Sequence, residues 1–423
     1  PRSLAESAAH AQVAAEACYR YLAERRPCGM HSIPRQPTPV SRDVAVFGGT
    51  REGRRAVEEL LNLGYAVHWV TLPGDAIPSL PEHPRLTRHA QGMPARVAGH
   101  VGGFELTWGR NGEGAGAAVR ASALVVATGN ARASSLPAEG IPASPRVVGL
   151  AELRARLDAP RDTGVAAAHR NLRVLIGLDL AGMTGLEMAT EAFDLACRVR
   201  REWRSEVFVL YRELGVDAPG LEAGTRRMRE HGVVFCRYGE AKIAAGDEDV
   251  SVDYGEGAIA GGMLVIPEAV HPREETARLA ALLGVTLGAD GYVQDVNIHQ
   301  LRPGMTVRRG IFAAGRCHAD LSATDAEADA VLAAASVDAL LAAGEIAPED
   351  VVAEVDSTKC VRCLTCVRTC AHGAVEIVTS EDVTAARVAE LACRGCGACV
   401  GNCPVQAITL VGQAWPSWLQ AAS

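Results

Sequence analysis

At 423 residues the chain is too long for one hydrophobic core and implies two or three domains. Its 50 acidic residues outnumber 42 basic ones with no basic block, which excludes a phosphate-tracking surface and, with it, nucleic acid as a partner. No stretch offers the roughly 20 apolar residues of a bilayer span, and the start lacks a charged region followed by an apolar one, so neither a membrane span nor secretion is expected.

The first patterned segment, residues 43–71, reads as an apolar strand, a glycine turn, a helix with apolar positions Val57, Leu60 and Leu61, and a second strand from Tyr65. This is a βαβ unit of dinucleotide-binding type, with Gly48, Gly49 and Gly53 in the turn. Two of its ligand-facing features depart from the fingerprint. Thr50 stands where a glycine lets the backbone approach the pyrophosphate, and Thr71 stands where an acidic residue bonds the ribose. Both a cofactor site and a Rossmann shell kept for architecture are open readings.

Residues 123–128 form a short buried strand closed by a turn at Thr128 and Gly129. A second βαβ candidate follows: a strand over 172–177, a turn carrying Gly182 and Gly185, a helix to about Arg204 and a strand over 206–211. Its glycine pair alone is a weak nucleotide signal, because helix-to-sheet packing also selects glycine. The strand from Gly310 to Gly315 then resembles those that end beside the flavin in two-dinucleotide flavoproteins, where an aspartate usually bonds the ribitol; here Arg316 takes that place. The alanine-rich helix over 324–343 would aim its positive N-terminus at a flavin ring, and residues 344–358 read as a linker.

Thirteen cysteines, eight of them between 360 and 403, do not read as a secreted disulfide framework. Cys360, Cys363, Cys366 and Cys370 repeat as Cys393, Cys396, Cys399 and Cys403. In this spacing three cysteines of one loop hold a [4Fe-4S] cluster and the fourth reaches the other cluster. The expected sets are therefore Cys360, Cys363, Cys366 with Cys403, and Cys393, Cys396, Cys399 with Cys370. Gly395, Gly397, Ala398 and Gly401 give the backbone room to crowd the cluster, and both halves run on into β-rich stretches at 374–378 and 407–411. Pro404 follows the last cysteine, whereas Ala371 stands at the matching place in the first half. Zinc is the competing reading, but paired C-x2-C knuckles would leave the remaining cysteines unexplained.

Taken together, the Gly48 turn, residues 101–106 ahead of the strand ending at Thr128 and Gly129, the segment Tyr211–Leu214, the strand from Gly310 to Gly315 and the two-cluster segment resemble the HdrA-like family, the flavin and iron-sulfur component of heterodisulfide reductase. The resemblance implies an α/β, thioredoxin-reductase-like Rossmann body of FAD/NAD(P)-binding type, with a C-terminal α+β two-[4Fe-4S] ferredoxin domain. It implies two [4Fe-4S] clusters and FAD as cofactors, with Gly48, Gly49, Gly53, Thr128, Gly129 and Gly315 as the FAD contacts. It further implies other redox subunits as partners, an oligomeric complex, a cytoplasmic setting and, in some complexes, flavin-based electron bifurcation. Several features depart from the family: the turn over 178–184 lacks the extra cysteine cluster, and Thr50, Thr71 and Arg316 break the flavin pattern. Residues 3–23 resemble the helix that closes a flavin domain of this family, so the chain, which opens on Pro1, is expected to follow an upstream copy.

The expected division is an N-terminal helical segment and linker (1–40), the first part of the FAD-type domain (41–150), an inserted second Rossmann-like domain (151–270), the return of the FAD-type domain (271–345) and the ferredoxin domain (346–423). The expected function is electron relay through the two clusters between a flavin, in this chain or a neighbouring one, and partner subunits. The alternative is a catalytically empty scaffold that docks subunits and presents a ferredoxin arm; a self-sufficient NAD(P)H reductase ranks last because the Gly182 motif is incomplete. Cys18, Cys28, Cys197 and Cys236 read as buried small hydrophobes. Cys317 has the better claim to lie near a flavin, and His318 and His372 read as surface or packing histidines ahead of any tuning role.

Overall fold

The structure, a computed structural model, describes residues 35–75, 79–90, 92–109, 118–160, 171–182, 184–214, 220–296, 304–380 and 383–412. The helix expected over 3–23, together with Cys18 and Cys28, lies outside the described residues, as does Met183 in the second glycine turn. The chain divides into two compact units, a body over 39–344 and a second unit that includes residues 345–412.

The body begins with β1 (Asp43–Phe47), α1 (Arg51–Asn62), β2 (Ala66–Val70) and β3 (Leu86–His89). A three-stranded antiparallel meander, β4 (Arg96–Ala98), β5 (Phe104–Thr107) and β6 (Val119–Ala121), leads to β7 (Ala123–Val126). The chain leaves this layer along β8 (Asn130–Ala133). It then builds β9 (Val147–Gly149), α2 (Leu150–Asp158), β10 (Arg173–Gly177), α3 (Leu186–Arg198), β11 (Glu206–Tyr211), α4 (Leu221–Glu230) and β12 (Val234–Arg237). A second meander, β13 (Lys242–Ala245), β14 (Val250–Asp253) and β15 (Ala258–Gly261), precedes β16 (Met263–Ile266). The return runs along β17 (Ala269–Pro272), antiparallel to β8, into α5 (Glu274–Leu283), β18 (Ile311–Ala313) and α6 (Ala323–Leu341).

Two five-stranded parallel sheets result, in the orders β18-β7-β1-β2-β3 and β9-β16-β10-β11-β12. Strands covered on both faces must be apolar throughout, and Val44 to Phe47, Ala123 to Val126 and Met263 to Ile266 are all buried. The β8–β17 ribbon makes the insertion explicit: the second sheet is built between the outgoing and returning strands of the first. On α1, Ala56, Val57 and Leu60 face inward at helical spacing. The helix expected to reach Arg204 ends as α-helix at Arg198 and continues as a π-helical turn over Val199–Trp203, stopped by left-handed Arg204. None of the described helices is long and apolar enough to cross a membrane.

The second unit comprises β19 (Val352–Val355), α7 (Thr365–Thr369), β20 (Val375–Ser380), β21 (Val383–Val388), α8 (Ala398–Gly401) and β22 (Ile408–Val411). β19 pairs with β22 and β20 with β21, both antiparallel. The segment expected as a linker over 344–358 is thus corrected in part: Val352 to Val355 is a strand, because β22 needs a partner and Val352 and Ala353 supply apolar cover for the small core.

Candidate functional site

The eight cysteines of the second unit sit on two loop–helix turns related by 33 residues. The backbone repeats as faithfully as the cysteines: left-handed Arg362, Leu364 and Gly373 are matched by left-handed Gly395, Gly397 and Gln406. Such conformations cost a non-glycine residue roughly 1–2 kcal/mol, so the loop is held to shape at Arg362 and Leu364 against local preference. Each turn and the strand beside it also aim backbone N–H groups at sulfur. Ala374 N and Ala407 N reach Cys370 Sγ and Cys403 Sγ at 3.3 and 3.2 Å, while Ala386 N and Ala353 N reach Cys360 Sγ and Cys393 Sγ at 3.5 and 3.4 Å.

Cys360, Cys363, Cys366 and Cys403 line one cavity with Val355, Ile377 and Ile408. Around Cys399, burial and then the charges of Cys393, Cys370 and Cys396 push the thiol up to about 11. Burial, followed by Cys360 and Cys363, likewise raises Cys366. Thiols crowded this way resist ionising together, and a bound cation is what relieves them. Among the described residues, no three His, Cys, Asp or Glu side chains gather closely enough for a single metal ion; the first set surrounds a space instead. Cys363 and Cys396 are exposed, whereas Cys366, Cys393 and Cys399 are buried, so each turn has one thiol facing solvent.

In the body, the first glycine turn closes tightly. A Cβ on Gly48 would lie 2.1 Å from Ala127 O, and one on Gly53 would lie 2.2 Å from Gly48 O. Thr50 caps α1: its Oγ1 accepts from Gly53 N at 3.0 Å and donates to Ala127 O at 2.8 Å. The threonine in the middle-glycine position therefore serves the helix end, and its methyl group would stand 3.1 Å from a Cβ on Gly129. Thr128 Oγ1 pairs with Thr276 Oγ1 at 2.7 Å in the interior. Gly49 N donates to Asp75 Oδ2 at 2.5 Å, and Leu72 N donates to the same oxygen at 2.7 Å. Arg273 Nη1 holds Asp75 Oδ1 at 2.5 Å, and the same guanidinium ties the loop to Thr128 O and Pro73 O. Sequence reading did not single out Asp75, which lies outside the glycine fingerprint; its only signal was an acidic residue a few positions past the end of β2.

Arg316, at the ribitol aspartate's position, bonds Glu52 Oε1 at 3.0 Å and lies 3.5 Å from Glu187 Oε2. Glu187 also accepts from Asn130 at 2.8 Å and Arg132 at 2.5 Å, and Arg132 reaches Glu191 at 2.7 Å. Burial alone would raise the Glu187 carboxyl, but the bonds from Arg132 and Asn130 and the Arg316 charge outweigh it and hold the group below the ordinary carboxylate range. Gly315 N donates to Asp329 Oδ2 at 2.6 Å. The second turn is closed on itself by Asp179 N to Thr184 Oγ1 at 2.9 Å and Thr184 N to Asp179 Oδ1 at 2.7 Å. Beyond it, Leu186 N at the start of α3 donates to Asp320 Oδ2 at 2.5 Å.

The remaining single residues are accounted for by packing. Cys317 is fully buried, bonds Val126 O at 3.0 Å, and burial pushes it up to about 12, so it is an inert thiol. His318 Nε2 meets Asp329 at 2.8 Å; burial would lower it, but Asp329 and Asp295 raise it overall. Cys197 and Cys236 are half-buried, and burial raises both.

Residues 42–336 match the family described as Pyridine nucleotide-disulphide oxidoreductase, and residues 353–410 match the one described as 4Fe-4S dicluster domain. Among curated proteins, a CoB–CoM heterodisulfide reductase iron-sulfur protein of Methanopyrus kandleri is 30% identical over 200 residues, covering 45% of this chain and 30% of that protein. A heterodisulfide-reductase-like protein of Archaeoglobus profundus is 31% identical over 171 residues, covering 40% and 23%. The matched part is thus less than a third of the length of these relatives. A thioredoxin reductase from T. acidophilum superposes with a TM-score of 0.44 at 13% identity, over 71% of this chain and 99% of that one.

Proposed function

This chain belongs to the pyridine nucleotide-disulphide oxidoreductase family, and from that premise we propose that it is an electron-relay component of a heterodisulfide-reductase-like complex in the cytoplasm. Its C-terminal unit would receive single electrons from one redox partner and deliver them to another. The observation that carries this reading is the doubled ligand loop: two four-cysteine sets at 33-residue spacing, with matched left-handed residues and matched N–H donors on sulfur. Cys360, Cys363, Cys366 and Cys403 would hold one [4Fe-4S] cluster, and Cys393, Cys396, Cys399 and Cys370 the other. When bound, the clusters supply one-electron carriage at potentials that the surroundings tune.

The chain's own residues do the rest. Four backbone N–H groups directed at ligand sulfurs favour the more negative, reduced state. Val352, Ala353, Val375, Ala386 and Ile408 pack around the buried thiols and keep water from them. Cys363 and Cys396, the exposed thiols, mark the edges nearest solvent and hence the shortest routes to a docked partner.

The family also implies FAD in the body. At its phosphate end one donor of the turn, Gly49 N, is already bonded to the buried carboxylate of Asp75, which opposes a second anion there, and no electron step is assigned to this chain's Rossmann turn. Anaerobic preparation followed by iron and sulfide analysis tests the relay reading. It requires about eight irons per chain and a rhombic paramagnetic signal on reduction that an added one-electron acceptor abolishes. Zinc in place of iron would end it.

A further inference from the structure

The three backbone turns that face the ligand in two-dinucleotide folds all end on carboxylates of the chain itself. At the first, Asp75 accepts from Gly49 N and Leu72 N and is clamped by Arg273, with its side chain only 1% exposed. At the second, Asp320 accepts from Leu186 N at 2.5 Å and from Glu187 N at 3.3 Å, and a Cβ on Gly185 would lie 2.3 Å from Asp320 Oδ2. At the third, Asp329 takes Gly315 N. A helix N-terminus in such folds binds phosphate because free N–H groups and the positive end of the helix dipole point at it. Here Gly49 N ahead of α1, and Leu186 N and Glu187 N at α3, are taken by these carboxylates, so a pyrophosphate arriving at either helix would meet a carboxylate of like charge.

Independent crowding comes from the α1 side. Glu52, 4% exposed in its first turn, reaches over the end of β18, where a Cβ on Gly315 would meet Glu52 Cγ at 2.4 Å. Arg316 replaces the ribitol acceptor with a donor and is itself spent on Glu52 and on Leu321 O. The Arg316–Glu187–Arg132–Glu191 chain of ion pairs lines a cavity with Arg51, Arg154 and Arg198, so its walls offer charged groups rather than an apolar slot for a ring.

We infer that the Rossmann body of this chain carries no dinucleotide: the Asp75 and Asp320 carboxylates stand in for the two pyrophosphates as acceptors built into the chain, and the fold is retained as a rigid platform. Electrons for the clusters then come from a redox group on another protein of the complex. Cofactor occupancy of the body is independent of the relay reading, because iron content reports on one and flavin content on the other.

The full chain, purified anaerobically with its clusters, is assayed for flavin released by acid and then titrated with FAD and with NADPH by calorimetry. The expected result is no co-purifying flavin and no saturable binding of either nucleotide tighter than about 1 mM. Near-stoichiometric FAD, or saturable binding of FAD or NADPH below that threshold, overturns the inference. Far-ultraviolet circular dichroism and the iron content of the same sample establish that the chain tested is folded.

Discussion

In the cluster unit, backbone N–H groups of the strands and turns around the loops point to sulfur: Ala353, Ala374, Ala386 and Ala407 each donate to a cysteine of the doubled loop. In the body, the corresponding donors point to oxygen: Gly49, Leu186 and Gly315 donate to Asp75, Asp320 and Asp329. Every buried donor needs a partner, so what differs is who supplies it. Cysteines at ligand spacing leave the charge to be completed by a cofactor, whereas aspartates supply it from the chain itself. On the inference drawn above, inheriting a cofactor fold and keeping its cofactor site are separate matters, and following the donors to their acceptors is what distinguishes them.

The comparison is broken most sharply at Cys399, a buried thiol crowded by Cys393, Cys370 and Cys396. Cys399→Ser is expected to remove about four of about eight irons while the thermal transition of the body is unchanged, because the ligands all lie in the unit over 345–412. Unfolding of the body in this variant would mean that the two units are not separately built. Next in size is Asp75→Ala, which takes the buried carboxylate from the Arg273 guanidinium and the acceptor from two backbone N–H groups. Removing one partner of a buried ion pair costs about 3–5 kcal/mol, read from urea unfolding followed by the fluorescence of Trp69, whose indole bonds Gly48 O in the same turn. Iron content should not move. A loss under about 1 kcal/mol, the range of exposed ion pairs, would show that the carboxylate is not the built-in acceptor described.

The asymmetry between the units also explains what could be read from sequence. Metal ligation fixes residue type and spacing together, so Cys360 to Cys403 stand out without any structure. Parallel strands buried on both faces, such as Val44 to Phe47 and Met263 to Ile266, are nearly as plain because they are continuously apolar. Asp75 and Asp320 are invisible in the same sense: an acidic residue in a loop is ordinary until folding brings it to a helix N-terminus, Asp75 from 26 residues beyond Gly49 and Asp320 from 134 beyond Leu186. Glu52 gave more warning, as a charged side chain one residue before the last glycine of the turn. β19 was hidden because four residues carry too little alternation to distinguish a strand from a linker; only its pairing with β22 defines it.

The repeat inside the cluster unit permits a finer test, because one backbone conformation is held by glycine in one half and by arginine in the other. Gly395 and Arg362 have φ of 61° and 57° at equivalent places before the second cysteine of each loop. Gly395→Ala is expected to cost about 1–2 kcal/mol from the left-handed backbone alone, and more because the new Cβ would lie 2.5 Å from Val351 O. Arg362→Gly runs the other way. It releases the same left-handed penalty but adds about 0.5–1 kcal/mol of chain entropy in the unfolded state, so the net gain is at most about 1.5 kcal/mol, for an exposed side chain that leaves no hole. Chemical denaturation of the cluster-loaded protein, followed by its iron–sulfur absorption, reads both. If Arg362→Gly destabilised the unit as much as Gly395→Ala does, the left-handed turn would not be the strained feature of the first loop, and the arginine side chain itself would have to be holding that half in shape.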